Sequence, residues 1–209
     1  MAKNTSRSED VKTPLAIVSY ANNLFELREN EKGKKSYGCS LHFKKGTDIS
    51  ALKKAAVEAA VAQWGDKAKQ LIVDEIIKSP FLDGDSKQGK TKEGVVKAGH
   101  PGTTFIRCQS GMDHKPKVFD RRRNPILDKD DCRSGSQVYG VVNAFTWEND
   151  EQGKGISFGV SIVQVVKNAE GDEILGGGGG PDPDKWLEKI EDDSPVGDTG
   201  GKGAESLFG

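Results

Sequence analysis

The chain has 209 residues, 34% of them hydrophobic and only 7% aromatic. That is enough for one domain with appendages, but a small core for the length. No run of about 18 apolar residues occurs, so a helical membrane span is excluded. The net charge of −1 hides an asymmetry: residues 176–209 carry −5 and residues 1–175 carry +4, a basic body joined to an acidic tail.

The N-terminal stretch MAKNTSRSEDVKTP is polar and lacks the apolar segment of a signal peptide. It predicts a flexible arm over residues 1–12, on a cytoplasmic protein. The three cysteines, Cys39, Cys108 and Cys132, are far apart, form no C-x-x-C pair and fit reduced thiols. A zinc site would need His42, His100 and His114 to converge with them.

Residues 13–175 read as one domain. TPLAIVSYANNLF opens with a strand. SYGCSLHFK alternates, with Tyr37, Cys39, Leu41 and Phe43 on one face and Ser36, Gly38, Ser40 and His42 on the other; Tyr37 and Phe43 are expected in the core. The period then changes: Ile49, Leu52, Ala56, Ala59 and Gln63 recur at helical spacing between an Asp or Thr cap and Gly65. A weaker helix, DKAKQLIVDEII, follows. Residues 81–102 are rich in Gly and Lys without apolar period and predict a long loop. TTFIRCQ is a strand with Ile106 and Cys108 on one face and Phe105, Arg107 and Gln109 on the other. KPKVFD is extended and RRRNP is a basic turn. SQVYGVVNAFTW and GISFGVSIVQVVK read as two strands joined by a turn. Strands dominate, one helix interrupts them and no βαβ rhythm appears, which predicts a small antiparallel barrel or sandwich.

Gly84–Thr91 matches G-x-x-x-x-G-K-[ST], and LIVDE resembles the strand and acid that hold magnesium in ATPases. A phosphate loop needs a helix to begin at the Lys-Thr pair. Here KEGVVKAGHPG follows, with three glycines and a proline against a helix, so ATP chemistry is set aside. Asp83, Asp85 and Asp113 would be the residues of a metal-dependent nuclease, but no nucleophile elbow, H-E-x-x-H or paired-carboxylate motif accompanies them. No catalysis, cofactor or metal is expected.

Bases and aromatics are interleaved instead. Single strands are held by a cationic groove along the phosphates and by aromatic faces on which bases stack. Candidates are Lys87, Lys90, Lys92 and Lys97 in the long loop; Lys115, Lys117, Arg121, Arg122 and Arg123 around Phe119; and Phe105 with Arg107. Along SQVYGVVNAFTW, Tyr139, Val141, Asn143, Phe145 and Trp147 share one face, while Gly140, Val142, Ala144 and Thr146 share the other. The aromatic face is either a stacking platform or the packed interior; the pattern leaves both open.

Six pieces in this order carry a resemblance: VSYANNLFE, YGCSLHF followed by a helix, PFLDGD, TTFIRCQS, KPKVFD with NPILD, and SGSQVYGVVNAFTWEN followed by GKGISFGVSIVQVV. The chain resembles phage-encoded single-stranded-DNA-binding proteins with an OB fold, over about Val18 to Val166. The resemblance implies a mainly β, OB-type antiparallel barrel with an inserted helix. It implies sequence-independent binding of single strands in phage replication and recombination, in the host cytoplasm. The lysine-rich insertion and the tail segment DKWLEKI depart from that family's pattern.

Residues 176–209 begin with five glycines, which lose more backbone entropy on ordering than any other residue. They predict a linker and a disordered acidic tail. Such a tail can compete with DNA as an intramolecular anion and, once released, recruit replication or recombination proteins. Trp186, Leu207 and Phe208 are its candidate anchors, and Asp192 and Asp193 its central acids. An annealing mediator, or a phage structural or host-interaction protein, are the alternative readings. Monomer and homodimer both remain open.

Overall fold

The computed structural model describes residues 5–175; the tail residues Trp186, Asp192, Asp193, Leu207 and Phe208 lie outside the described residues. Among the described residues the strands are β1 (Val11–Lys12), β2 (Ala16–Ser19), β3 (Arg28–Glu29), β4 (Lys35–Lys44), β5 (Ile77–Lys78), β6 (Phe81–Asp83), β7 (Thr103–Gly111), β8 (Lys117–Phe119), β9 (Gln137–Asn149) and β10 (Gly153–Lys167). The helices are α1 (Ser50–Trp64) and α2 (Ala68–Val73). No helix is long and apolar enough to cross a membrane among these residues.

The expected mainly β architecture, with its helical insertion between two strands, is what forms. β9 pairs with β2, β2 with β4, β4 with β7, β7 with β10, and β10 again with β9. Five strands thus close into a ring. The expectation of an entirely antiparallel sheet is corrected: Phe158 and Gly159 of β10 lie beside Cys108 and Gln109 of β7 in parallel, and β5 and β8 also join β10 in parallel. The cause is topological. The hairpin from β9 turns the chain back into the direction of β7, a long-range contact that local alternation does not encode.

Phe43, Phe105, Phe158, Leu24, Leu41, Leu52 and Ile106 are fully buried. Tyr37, expected in the core with Phe43, is only half-buried. α1 starts where the Asp48 carboxylate accepts the Ser50 N–H at 2.9 Å. It buries Leu52, Ala55, Ala56, Ala59 and Ala60 as a single stripe; the small side chains let it pack closely against β9. Gly65 ends it at φ +66°. α2 ends with Glu75 N–H on the Ile72 carbonyl and Ile76 N–H on the Leu71 carbonyl, a closure that puts Glu75 at φ 55°, where glycine is favoured. Glu75→Gly should stabilise the fold by about 0.5–1 kcal/mol, read as a Tm rise of about 1–4 °C.

Residues 6–13, most of which were expected to be a flexible arm, run along β9. Ser6 N–H donates to Thr146 Oγ1 at 3.0 Å, and the carbonyls of Ala144 and Gly140 accept the N–H groups of Ser8 and Thr13. Polar composition hid a segment that satisfies the open edge of β9 through its backbone.

The phosphate-loop lookalike has a structural explanation. A Cβ on Gly84 would lie 1.8 Å from the His100 carbonyl oxygen, and one on Gly89 equally close to the Gly84 carbonyl oxygen. These glycines close a turn. Lys90 leaves in extended conformation, and Leu71–Val73 of LIVDE lie in α2, not in a strand.

This turn covers His42. The His42 ring stacks on Phe105 at 5.0 Å and meets His100 edge-on at 4.4 Å. Burial, with the second imidazole beside it, pushes His42 down to about 3; burial also lowers His100. Both bind protons more readily in the unfolded chain; the contribution of His42 is complete above about pH 6.5 and is lost as pH falls toward 3, and His100 acts in the same direction. His42, held neutral, adds a slope of about 1.4 kcal/mol per pH unit in that window. The expected result is a Tm that falls between pH 7 and pH 5, and falls less in His42→Phe.

Candidate nucleic-acid interface

β4 and β7 run side by side in a fixed register: Ser36 opposite Gly111, Gly38 opposite Gln109, Ser40 opposite Arg107. Their inward residues Cys39, Leu41, Ile106 and Cys108 are buried. Their other face floors a groove of about 530 Å³. Arg107 projects from β7. Arg28 and Lys34 come from the connection between β2 and β4 and its short β3–β4 hairpin, and Lys92 and Lys97 from the segment after Gly89. Tyr20, Tyr37, Asn23, Asn30 and Gln109 complete the walls, and among the described residues no carboxylate lines them. Tyr20 is 45% exposed and is held at φ 59°. Lys92 also donates to Glu31 at 3.4 Å.

A second groove of about 690 Å³ shares Lys34, Ser36 and Gln109 with the first, so the two are continuous. It continues past Lys115 and Lys117 to Asn143 and Phe145 of β9, Gly159 of β10 and Arg7. Gly38, Gln109, Gly159 and Asn143 form one register row across four strands. Two of its four positions lack side chains: a Cβ on Gly38 would stand 2.4 Å from the Cys108 carbonyl oxygen, and one on Gly159 2.8 Å from Asn143 Oδ1. Asn143 is fixed from both ends: Arg7 Nη1 donates to its Oδ1 and its Nδ2 donates to Asp10 Oδ1, each at 3.0 Å.

The face of β9 left open by the sequence is resolved. Val138, Gly140, Val142, Ala144 and Thr146 point into the core, while Tyr139, Phe145 and Trp147 are half-buried on the outside. Each aromatic has its own cation: Lys12 at 4.3 Å from the Tyr139 ring, Arg7 at 5.2 Å from Phe145 and Lys78 at 5.9 Å from Trp147. The Trp147 ring lies over Gly155, where a Cβ would stand 2.2 Å from Cζ2, and its Nε1 donates to Ser157 Oγ at 3.0 Å. Tyr139, with Phe119, Val141, Ile162 and Arg123, lines a further pocket of about 300 Å³.

Phe105 does not join this surface, which corrects its reading as a stacking residue. It is 1% exposed because the segment before β7 covers its face of the strand; only the guanidinium of Arg107, 5.9 Å from its ring, reaches outward. Arg121 and Arg122 stand exposed on a turn and line neither of the two grooves. There the Asp120 carboxylate accepts from the Asn124 side chain and from the N–H groups of Asn124 and Arg122, which hold it below its usual range. Arg123, at φ 68°, reaches the Tyr139 pocket. Lys87 and Lys90 are exposed and line neither groove, whereas Lys92 lines the first. Arg7, Lys12, Tyr20, Arg28, Lys34 and Lys78 were not anticipated. Only the VSYANNLFE match pointed near any of them.

The three thiols are buried and unpaired. Burial pushes Cys132 up to about 12, and its contact with Cys39 raises Cys108. No group of three His, Cys, Asp or Glu side chains is placed to hold a metal among the described residues.

Comparison with known proteins gives the same direction. No curated protein sequence matches the chain. Among solved structures, the single-stranded DNA-binding protein of bacteriophage Enc34 in complex with ssDNA superposes with a TM-score of 0.55 at 20% identity, covering 78% of this chain and 89% of that one. The same phage protein in another structure gives 0.54 at 19% identity, covering 86% and 90%. Gp2.5, a single-stranded DNA-binding protein of bacteriophage T7, gives 0.52 at 15% identity, covering 90% and 98%. These show a shared fold. Residues 9–195 match the family described as Enterobacter phage Enc34, ssDNA-binding protein, and with nearly the whole chain inside that match, the protein belongs to this family.

Proposed function

We propose that the protein binds single-stranded DNA without sequence preference during phage DNA replication and recombination, in the host cytoplasm and without catalysis. The observation that carries this reading is the groove in which five cations, and no carboxylate among the described residues, stand over the β4–β7 face. The fold reading deepens it. The ring order β2–β4–β7–β10–β9, with its one parallel contact, supports an OB fold in which β4 and β7 are the second and third strands. In OB folds that face and the loop between the first two strands bind oligonucleotides; here that loop supplies Tyr20, Arg28 and Lys34. Phosphates would follow the two joined grooves, and bases would stack on Phe145 and Trp147, with Tyr139 at the far end.

The acidic segment 176–209 acts in this reading as a competitor for the groove and, once displaced, as a docking segment for replication or recombination proteins. Anisotropy of labelled oligo-dT at several salt concentrations tests both ideas. A groove touching about five phosphates gives a log–log salt slope near about −3.5. A chain ending at Leu175 should bind more tightly than the whole chain, most clearly at low salt. Equal affinities would remove the competitor role, and no binding by either would remove the DNA reading. Faster annealing of complementary strands would favour the mediator alternative.

Stacking is separable from charge. Trp147→Ala should weaken oligo-dT binding by about 5- to 150-fold, the worth of one stacked base, with the salt slope unchanged. A shallower slope would mean that Trp147 only positions cations.

A further inference from the structure

The pocket of about 300 Å³ at the start of β9 is built by three strands in register. Gln164 of β10 lies opposite Phe119 of β8 on one side and Tyr139 of β9 on the other. In the neighbouring row, Ile162 lies opposite Val141. Ser161 is the extra residue of a bulge in β10, where the register shifts between Val160 and Ile162. Past this bulge Ile162 and Gln164 share the outer face with Val141 and Tyr139; without it they would turn to the core. The adjoining turn is tied down. Gln164 Nε2 donates to the Asp120 carbonyl at 3.3 Å, and the Asp120 carboxylate accepts the N–H groups of Arg122 and Asn124. This turn holds Arg123 at φ 68°, unfavourable for an arginine, with its side chain lining the pocket.

The pocket continues the second groove. The outward residues of β9 alternate, so Val141 of the pocket follows Asn143 of the groove by two residues, about 7 Å along the strand. Its chemistry is mixed. Phe119, Tyr139, Val141 and Ile162 give aromatic and apolar surface, Lys12 and Arg123 give two cations, and among the described residues no carboxylate lines it. A ligand that matches both has a flat ring beside an anion. A nucleotide of a single strand is such a ligand, and the adjoining groove is where that strand would come from. We propose that this pocket takes one base of the single strand leaving the second groove, against Phe119 and Tyr139, with Arg123 on its phosphate. The proposal rests on the single-strand reading of the joined grooves. It adds Phe119 as a base contact and separates Arg123, a phosphate contact, from Arg121 and Arg122 on the same turn.

The test begins with oligo-dT carrying 5-iodouracil, which on irradiation crosslinks to aromatic side chains stacked on it. Bound to the whole chain, it should crosslink to Phe119 or Tyr139, read by mass spectrometry of the peptides. In parallel, labelled oligo-dT and an abasic strand of equal length are titrated against the whole chain, Phe119→Ala and Arg123→Gly. Phe119→Ala should bind oligo-dT about 5- to 150-fold more weakly at an unchanged salt slope, and should match the wild type on the abasic strand. Arg123→Gly puts glycine where the positive φ favours it, so the fold is kept. It should weaken both ligands and make the slope shallower by about 0.7. Should Phe119→Ala fail to fold, the crosslink and Arg123→Gly still decide. If the wild type binds oligo-dT but neither Phe119 nor Tyr139 crosslinks, the base pocket is overturned while the single-strand reading stands, and the pocket is left for an aromatic side chain of a protein partner. An equal loss on both strands in Phe119→Ala, or an unchanged slope in Arg123→Gly, also overturns it. If the wild type binds neither strand, the underlying reading falls with it.

Discussion

Lys34→Glu combined with Arg107→Glu is expected to weaken oligo-dT binding about a hundredfold or more at 0.1 M salt, with a salt slope shallower by about 1.4. Lys34 belongs to both grooves and stands where they join, and Arg107 projects from the β4–β7 floor of the first. Hydrogen bonds to charged groups are each worth about 1.5–3 kcal/mol, and the introduced carboxylates add repulsion of the phosphates. Each lost phosphate contact to a single strand removes about 0.7 from the slope. Arg121→Glu with Arg122→Glu is the matched control: it changes the net charge equally, at exposed residues that line neither groove. It should alter affinity only weakly. Circular dichroism and Tm should be unchanged in both variants, since none of the four residues is buried. Equal losses in the two double variants would show that overall charge, not this groove, governs binding.

How much of this surface the sequence disclosed depended on the range of the interactions that build it. The alternation in SQVYGVVNAFTW was legible because a strand with one face on a core must repeat with period two. It could not say which face was inside. That was decided by α1, whose alanine stripe packs against β9 and has room only for the small side chains of the Val138–Thr146 face. The same alternation misled at Phe105. Sharing a strand face with Arg107 and Gln109 suggests exposure, yet β7 is buried on both faces near its start because the His100 turn folds over it. Tyr37 failed in the opposite direction: it alternates with Cys39 and Leu41, but at the strand end where the core has run out. The parallel contact of β10 with β7 and the pairing of residues 6–13 with β9 join segments about fifty and more than a hundred residues apart, and nothing local announces either. Among the cations the sequence pointed to clusters, but clustering in sequence is not convergence in space. The arginine triplet sits on a turn, whereas the groove gathers Arg28, Lys34, Lys92, Lys97 and Arg107 from three separate segments.

Phe105→Ala separates a core residue from a binding residue, and its expected cost is large. Phe105 is fully buried, stacked on His42 and edge-on to His100 at 4.9 Å. Removing a buried phenylalanine ring costs about 3–5 kcal/mol, partly through the cavity left behind. Against a total stability of about 5–15 kcal/mol that is a substantial fraction, and for a folded body of this size it lowers Tm by about 6–20 °C. The cavity would adjoin His42, whose Nε2 already lacks a partner. Water entering there would ease protonation of the imidazole, so the acid sensitivity of the variant should begin at higher pH. Binding should respond differently. At a temperature where the variant remains folded, oligo-dT affinity should stay within about threefold of the wild type with the same salt slope, because Arg107, not Phe105, lines the groove. The two measurements decide together. A variant as stable as the wild type but unable to bind would place Phe105 among the stacking residues and sink the burial reading. A destabilised variant that binds normally would leave the Phe145–Trp147 face of β9 to do the stacking.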